Sequence, residues 1–242
     1  MTRAEQIAGG LNAVRARIAA AELAAGRTPG SVRLVAVSKK MPVADIQAAL
    51  AAGQTDFGEN YGQELRDKRA ELVLTTHGPH SIQPIWHFIG PLQTNKVKYV
   101  AGQVAVIHSI DSTALLDELE RRGQGDICLV QVNLAGEEQK RGVSVHALPA
   151  LLDHFARLNH VRCEGLMLIP PLEASAADNR PRFAALRALR DYHAEIARPN
   201  VTLRELSMGM SHDFEVAIAE GATMVRIGTA IFGERPAPAA KP

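Results

Sequence analysis

Cysteine is nearly missing from this chain of 242 residues, and the two present, Cys128 and Cys163, both fall in strand-like runs. Thiols so few and so placed exclude a disulfide framework and read as buried small hydrophobes. No CxxC or HExxH spacing occurs, so no metal centre is expected. An excess of one charge is missing too. Lys and Arg number 27 against 26 Asp and Glu, a net charge of +1, which removes the bulk electrostatic case for nucleic acid or an anionic membrane as partner. No run approaches the roughly 18 apolar residues of a membrane-spanning helix. The first 26 residues carry Glu5 and Glu22 and contain no signal-peptide core, so a cytoplasmic location is expected. Aromatic residues make up 4%, and tyrosine occurs only at positions 61, 99 and 192. The remainder, 46% hydrophobic and 22% charged, is ordinary for a soluble globular protein.

What is there alternates. Ile7, Leu11, Val14 and Ile18 follow the spacing of an amphipathic helix, which Gly26 and Pro29 end. After it, strands are expected near 32–38, 55–59, 85–89, 104–109, 127–133, 161–168, 202–207 and 222–227. Helices fall between them, near 43–52, 61–74, 94–101, 112–122, 145–158, 178–197 and 212–220. The helix at 145–158 buries Leu148, Leu151, Leu152 and Phe155; that at 178–197 buries Phe183, Leu186, Leu189 and Ile196. Eight strands with seven intervening helices predict a single (β/α)8 TIM barrel over 1–234, with an extra N-terminal helix that covers it or replaces the missing eighth. An open doubly wound sheet is the alternative, weakened because no Gly-rich phosphate fingerprint follows the first strand. The Pro/Ala-rich tail, 235–242, reads as disordered, and no linker announces a second domain.

Polar residues gather at the C-terminal ends of these strands, where α/β folds bind ligands. Lys39 closes the first strand. Held among apolar groups, a lysine amine loses part of its preference for charge and can attack a carbonyl to form a Schiff base. A surface lysine just past a strand is the alternative. The second strand ends in Gly58-Glu59-Asn60-Tyr61, the third in His87-Phe88-Ile89-Gly90. Near the end of the chain lie Ser207-Met208-Gly209-Met210-Ser211 and Arg226-Ile227-Gly228-Thr229. Small residues there let backbone N–H groups approach an anion, with hydroxyls from Ser207, Ser211 and Thr229; ordinary capped turns are the alternative. Arg226 shares a strand face with Met224 and Gly228. If that face is the barrel interior, the guanidinium needs a partner: Glu205, Glu59 or a ligand nitrogen. A carbonyl trap, a phosphate cradle and an arginine together describe a pyridoxal phosphate (PLP) pocket.

The segments Ala36-Val37-Ser38-Lys39 with Pro42, Phe57-Gly58-Glu59-Asn60-Tyr61, His87-Phe88-Ile89-Gly90 with Gln93 and Asn95-Lys96, Ser207-Met208-Gly209-Met210-Ser211 with Asp213, and Val225 to Gly233 resemble, in order, the pyridoxal-phosphate homeostasis proteins of the YggS/PROSC type. The resemblance spans 1–234 and implies an alanine racemase N-terminal-domain-like barrel. By resemblance, Lys39 carries PLP covalently, Asn60 lies beside the cofactor, Ser207, Gly228 and Thr229 resemble phosphate ligands, and Met208 and Gly209 are cofactor-binding with them. Arg226 resembles the arginine at the pyridine nitrogen, and Lys140 a lysine on a mobile loop. Lys40 departs from the pattern, placing a second amine beside the first; the loop Ile169-Pro170-Pro171 is assigned no role.

An arginine at the pyridine nitrogen only donates, so the ring stays neutral and is a poor electron sink. Racemisation would need an acid/base group on each face of the substrate, each worth about 10²–10⁴ in rate. The resemblance therefore implies a non-catalytic carrier or buffer in intracellular PLP homeostasis, binding PLP and related B6 vitamers and serving PLP-dependent apoenzymes. Without a second domain it is expected to be a monomer. A small PLP-dependent amino-acid racemase is one alternative, and a barrel binding another phosphate through the charge of Lys39 is a third.

Overall fold

The computed structural model describes residues 1–75, 82–134, 141–171 and 173–234. The expected Lys140 loop and the 235–242 tail lie outside the described residues. Helix α1, Arg3–Ala24, opens with a capping box in which the Thr2 hydroxyl accepts from Glu5 N and the Glu5 carboxylate accepts from Thr2 N. Its buried stripe is Ile7, Leu11, Val14 and Ile18, as the spacing predicts. Glu22 is buried with them, and its carboxylate accepts hydrogen bonds from Gly30 N, Ser31 Oγ and Val32 N, tying the helix to the first strand.

The elements that follow are β1 Arg33–Val37, α2 Val43–Ala51, β2 Asp56–Glu59, α3 Gly62–Thr75, β3 Ile85–Phe88, a 3₁₀ turn Thr94–Tyr99, β4 Val106–Ile110, α4 Thr113–Arg122 and β5 Ile127–Asn133. Then come β6 Val143–Ser144, α5 Leu148–Phe155, β7 Arg162–Met167, α6 Ala176–Ala194, β8 Val201–Ser207, α7 Phe214–Ala219, β9 Met224–Ile227 and α8 Thr229–Phe232. Strands β1 to β5 and β7 to β9 pair in parallel, and the β4–β5 and β1–β9 pairings close them into an eight-stranded barrel. The two-residue β6 adds to β5 outside the ring. The predicted (β/α)8 barrel is therefore the observed fold, and the open sheet is excluded.

Helix α8 is a single turn, and α1 packs against α8, α7 and α2. It thus fills the place of a full eighth helix. Three details differ from the sequence reading. The segment at 94–101 winds as a 3₁₀ turn. Ile196 lies beyond the end of α6 and is exposed, and Leu189 is only partly buried. Cys128 and Cys163 face each other across β5 and β7 as free, fully buried thiols, with burial pushing Cys163 up to about 12.

Inside the barrel the pleat sends alternate residues inward. Val106, Leu129, Met167 and Met224 form a small apolar cluster of their own. Gly90, just past β3, lies so close to the backbone of Asn60 that an added Cβ would collide with it. Gly90→Ala is expected to cost about 1–3 kcal/mol, as overpacking does. Denaturant melts of the two proteins check this; an unchanged midpoint would contradict the close approach.

Candidate functional site

At the C-terminal end of the barrel, a cavity of about 320 Å³ is lined by Lys39, Asn60, Met210, Ser211, His212, Arg226, Gly228 and Thr229, with Val37, Ile89, Ile169 and Pro170 as its apolar wall. That volume suits a small cofactor. A larger hollow of about 810 Å³ lies outside the barrel, where α3 meets the 3₁₀ turn; its charges Arg66 and Lys98 are exposed. The barrel mouth, with its buried guanidinium, is the chemically specific site.

Lys39 follows β1 in a turn whose two flanks are fastened. Ser38 donates its backbone N–H to Gly58 O and its hydroxyl to Glu59 Oε1 (2.6 Å). Its carbonyl accepts from Met41 N and from Lys68 Nζ. On the other side Lys40, in the left-handed region at φ 63°, donates its N–H to Glu64 Oε1. Lys68 Nζ joins these anchors, donating to both Glu59 Oε1 and Glu64 Oε1 at 2.7 Å. Burial pushes the Glu59 carboxyl up, opposed chiefly by the charge of Lys68. A bulky residue in the left-handed region is uncommon and persists where surroundings hold it. Lys40 itself is exposed and does not line the cavity.

Arg226 points inward from β9 and is almost fully buried. Its partners are neither Glu205, which accepts from Thr223 Oγ1, nor Glu59. Both expected carboxylate partners are thus corrected: Nη1 donates to Ser207 Oγ (2.6 Å) and Nη2 to Leu168 O (2.9 Å). Burial lowers its pKa to about 10, with the charge of Asp213 opposing, so it stays protonated at neutral pH.

Five of the eight expected site residues, Lys39, Asn60, Arg226, Gly228 and Thr229, thus share one cavity. Ser207, Met208 and Gly209 do not line it. All three are buried behind the wall, and the Gly209 carbonyl accepts from Arg226 N. Ser211, four residues on, occupies the wall instead, beside Gly228 and Thr229. A Cβ at Gly228 would come within 3.3 Å of Val37, so β9 leaves the barrel pressed against β1. Asn60 Oδ1 is buried without a hydrogen-bond partner among the described residues, an acceptor left for something in the cavity. Ile169, Pro170 and His212 join the wall without any local pattern in the sequence that marks them, since they arrive from loops. His87, expected at the mouth, lies inside the barrel, bonded to Asp56 and His108.

Among the described residues no group of side chains fits a metal ion, and no helix is long and apolar enough to cross a membrane. Fold and cavity together define the class. The family described as alanine racemase, N-terminal domain, matches residues 10–236. A pyridoxal phosphate homeostasis protein from Pseudomonas aeruginosa is 45% identical over 234 residues, covering 95% of this chain and 96% of that protein. The protein of the same description from Escherichia coli K12 is 40% identical over 234 residues, covering 95% and 97%. The PipY protein of Synechococcus elongatus, solved with PLP bound, superposes with a TM-score of 0.79 at 37% identity, covering 94% of this chain and 100% of that one. The chain belongs to the pyridoxal phosphate homeostasis protein family.

Proposed function

We propose that this protein holds PLP reversibly in the barrel-mouth cavity, as a Schiff base on Lys39, and serves as an intracellular carrier or buffer of the cofactor. One observation carries the reading: a single cavity of cofactor size brings together an amine, a donor-only guanidinium and a hydroxyl-rich glycine turn. These groups fit the cofactor's three handles. Lys39 suits the aldehyde: its amine would hold the aldehyde carbon, with loss of water, in a linkage that other amines could displace. The remaining Arg226 donors suit the pyridine nitrogen. Ser211, Gly228 and Thr229 suit the phosphate, while Ser207, committed to Arg226, is better suited to holding that guanidinium.

Bound PLP supplies an electrophilic carbon and an electron-withdrawing ring. A guanidinium that cannot accept a proton from the ring, or readily give one up, keeps that withdrawal weak. Neither does the cavity offer a tyrosine: Tyr61, Tyr99 and Tyr192 are not among its lining residues. The carrier reading includes a cytoplasmic monomer that passes PLP to apoenzymes.

His212 supports a second reading, amino-acid racemisation, because its imidazole stands on the cavity wall as an acid/base group. Deuterium exchange at the α-carbon of amino acids separates the two. The carrier is expected to show negligible exchange and to reactivate a PLP-dependent apoenzyme on mixing. Rapid exchange that His212→Ala abolishes would establish the racemase instead.

A further inference from the structure

Below the cavity, a file of side chains runs through the barrel to its opposite end. Arg226 Nη1 donates to Ser207 Oγ. Ser207 Oγ lies 2.8 Å from His108 Nδ1. His108 Nε2 lies 2.9 Å from His87 Nδ1, and His87 Nε2 lies 3.0 Å from Asp56 Oδ1. Ser207, His108 and His87 are fully buried. At the far end Thr55 Oγ1 donates to Asp56 Oδ2, and Arg33 Nε stands 3.8 Å from Asp56 Oδ1.

The ends of this file fix where its protons sit. A guanidinium only donates, and an ionised carboxylate only accepts. Ser207 therefore receives from Arg226 and must spend its single proton on His108 Nδ1. His108 is neutral, burial chiefly, with the charges of Arg226 and Arg33 adding to it, holding it well below the ordinary histidine range. Its one proton is on Nε2 and goes to His87 Nδ1, which leaves His87 Nε2–H for Asp56. Burial pushes the Asp56 carboxyl up, but hydrogen bonds from His87 and Thr55 outweigh it and keep the group ionised. With Arg226 as the donor at one end and Asp56 as the acceptor at the other, this single arrangement of protons satisfies every member, and all its dipoles point one way. Such a buried network, fully satisfied, is rigid; with one end removed it leaves an orphan N–H.

We propose that Asp56, at the closed end of the barrel, is a positioning residue for Arg226, acting through His87, His108 and Ser207 to hold the guanidinium rigidly against a pyridine nitrogen. The role rests on the reading of the cavity as a PLP site. Its functional content is that the electronic state of the cofactor is set in part from the opposite end of the molecule, by a residue that never touches it.

Nitrogen-15 NMR on the cofactor-free protein reads the file directly. In the wild type both His87 and His108 are expected as pure Nε2–H tautomers, with the Arg226 guanidinium protected from exchange. In Asp56→Ala, His87 is expected to show a second tautomer and Arg226 protons to exchange about tenfold faster, the worth of one hydrogen bond. Asp56→Leu, which keeps the approximate shape but offers no acceptor, is expected to do the same and serves where the alanine variant does not fold. After loading with PLP, both variants are expected to shift the cofactor's absorption band while still forming the Lys39 adduct. Unchanged tautomers and protection would overturn the proposal. So would altered tautomers with an unmoved band, since Asp56 would then be purely structural. Failure of the wild type to take up PLP would defeat the cofactor reading, a result distinct from both.

Discussion

Replacing Lys39 with alanine is expected to abolish every covalent pyridoxyl adduct. Borohydride reduction followed by peptide mass mapping should find the label on the Lys39 peptide in the wild type and nowhere in the variant. The reason is geometric. Lys39 lines the cavity, whereas its neighbour Lys40 is exposed, does not line it, and has its backbone N–H bound to Glu64. Weak binding through the phosphate end should survive, because Ser211, Gly228 and Thr229 are untouched by the substitution. A label that moves to Lys40 would show that the turn can rotate and that its fastenings do not govern the chemistry. A wild type without any label would favour a barrel that binds another phosphate through the charge of Lys39.

Lys68→Met is expected to produce the largest loss of stability. Lys68 and Glu59 form an ion pair with side chains 7% and 0% exposed, and Glu59 Oε2 already lacks a partner among the described residues. Removing the cation leaves a buried carboxylate uncompensated, at a cost of about 3–5 kcal/mol. For a chain of this length that lowers the melting temperature by about 6–20 °C. The sign of the pH dependence follows from the direction of the shift. Burial, the largest influence, raises the folded-state pKa of Glu59, while Lys68 pulls it down. A raised carboxyl contributes stability below its unfolded pKa, about 4.3, and loses it as pH rises through the folded value. Without Lys68 that value climbs further, so the variant's deficit should be greater at pH 8 than at pH 5. Thermal melts at both pH values check this; equal deficits would mean that Glu59 is ionised throughout or relieved by water. Because Lys68 also binds the Ser38 carbonyl, the variant should form its Lys39 adduct more slowly than the wild type.

Much of this architecture was legible in the sequence because two periodicities alternate cleanly. Strand β5 has the limits its sequence predicts, and the stripe of α5, Leu148, Leu151, Leu152 and Phe155, is buried as its spacing requires. The ends of elements were less legible. Ile196 continues the apolar rhythm of α6, but the helix stops at Ala194 and leaves it exposed. In the site, strand parity put Met224, Arg226 and Gly228 on one face, which is the interior. The same parity applied to Asp56, Val106 and His108 would have exposed the buried file, but scattered histidines carry no local signature. Counter-charge alone points to carboxylates as the partners of Arg226. The barrel instead supplies a neutral hydroxyl and a carbonyl, whose demands on the guanidinium are set three residues away in space. Ser207 and Ser211 sit in one small-residue motif, and only the path of the chain after β8 decides which of them reaches the cavity.

Helix α1 has a consequence for how the molecule comes into being. Its apolar stripe is covered by α2, α7 and α8, and Arg3 donates to the carbonyl of Phe232. Translation proceeds at roughly 5–20 residues per second, so about 10–40 s separate the emergence of the first helix from that of its last partner. During that interval Ile7, Leu11, Val14 and Ile18 are only partly sheltered on the nascent chain. Docking of α1 onto α8 thus joins segments made far apart in time, and a factor that shields hydrophobic surface at the ribosome would find it on this helix.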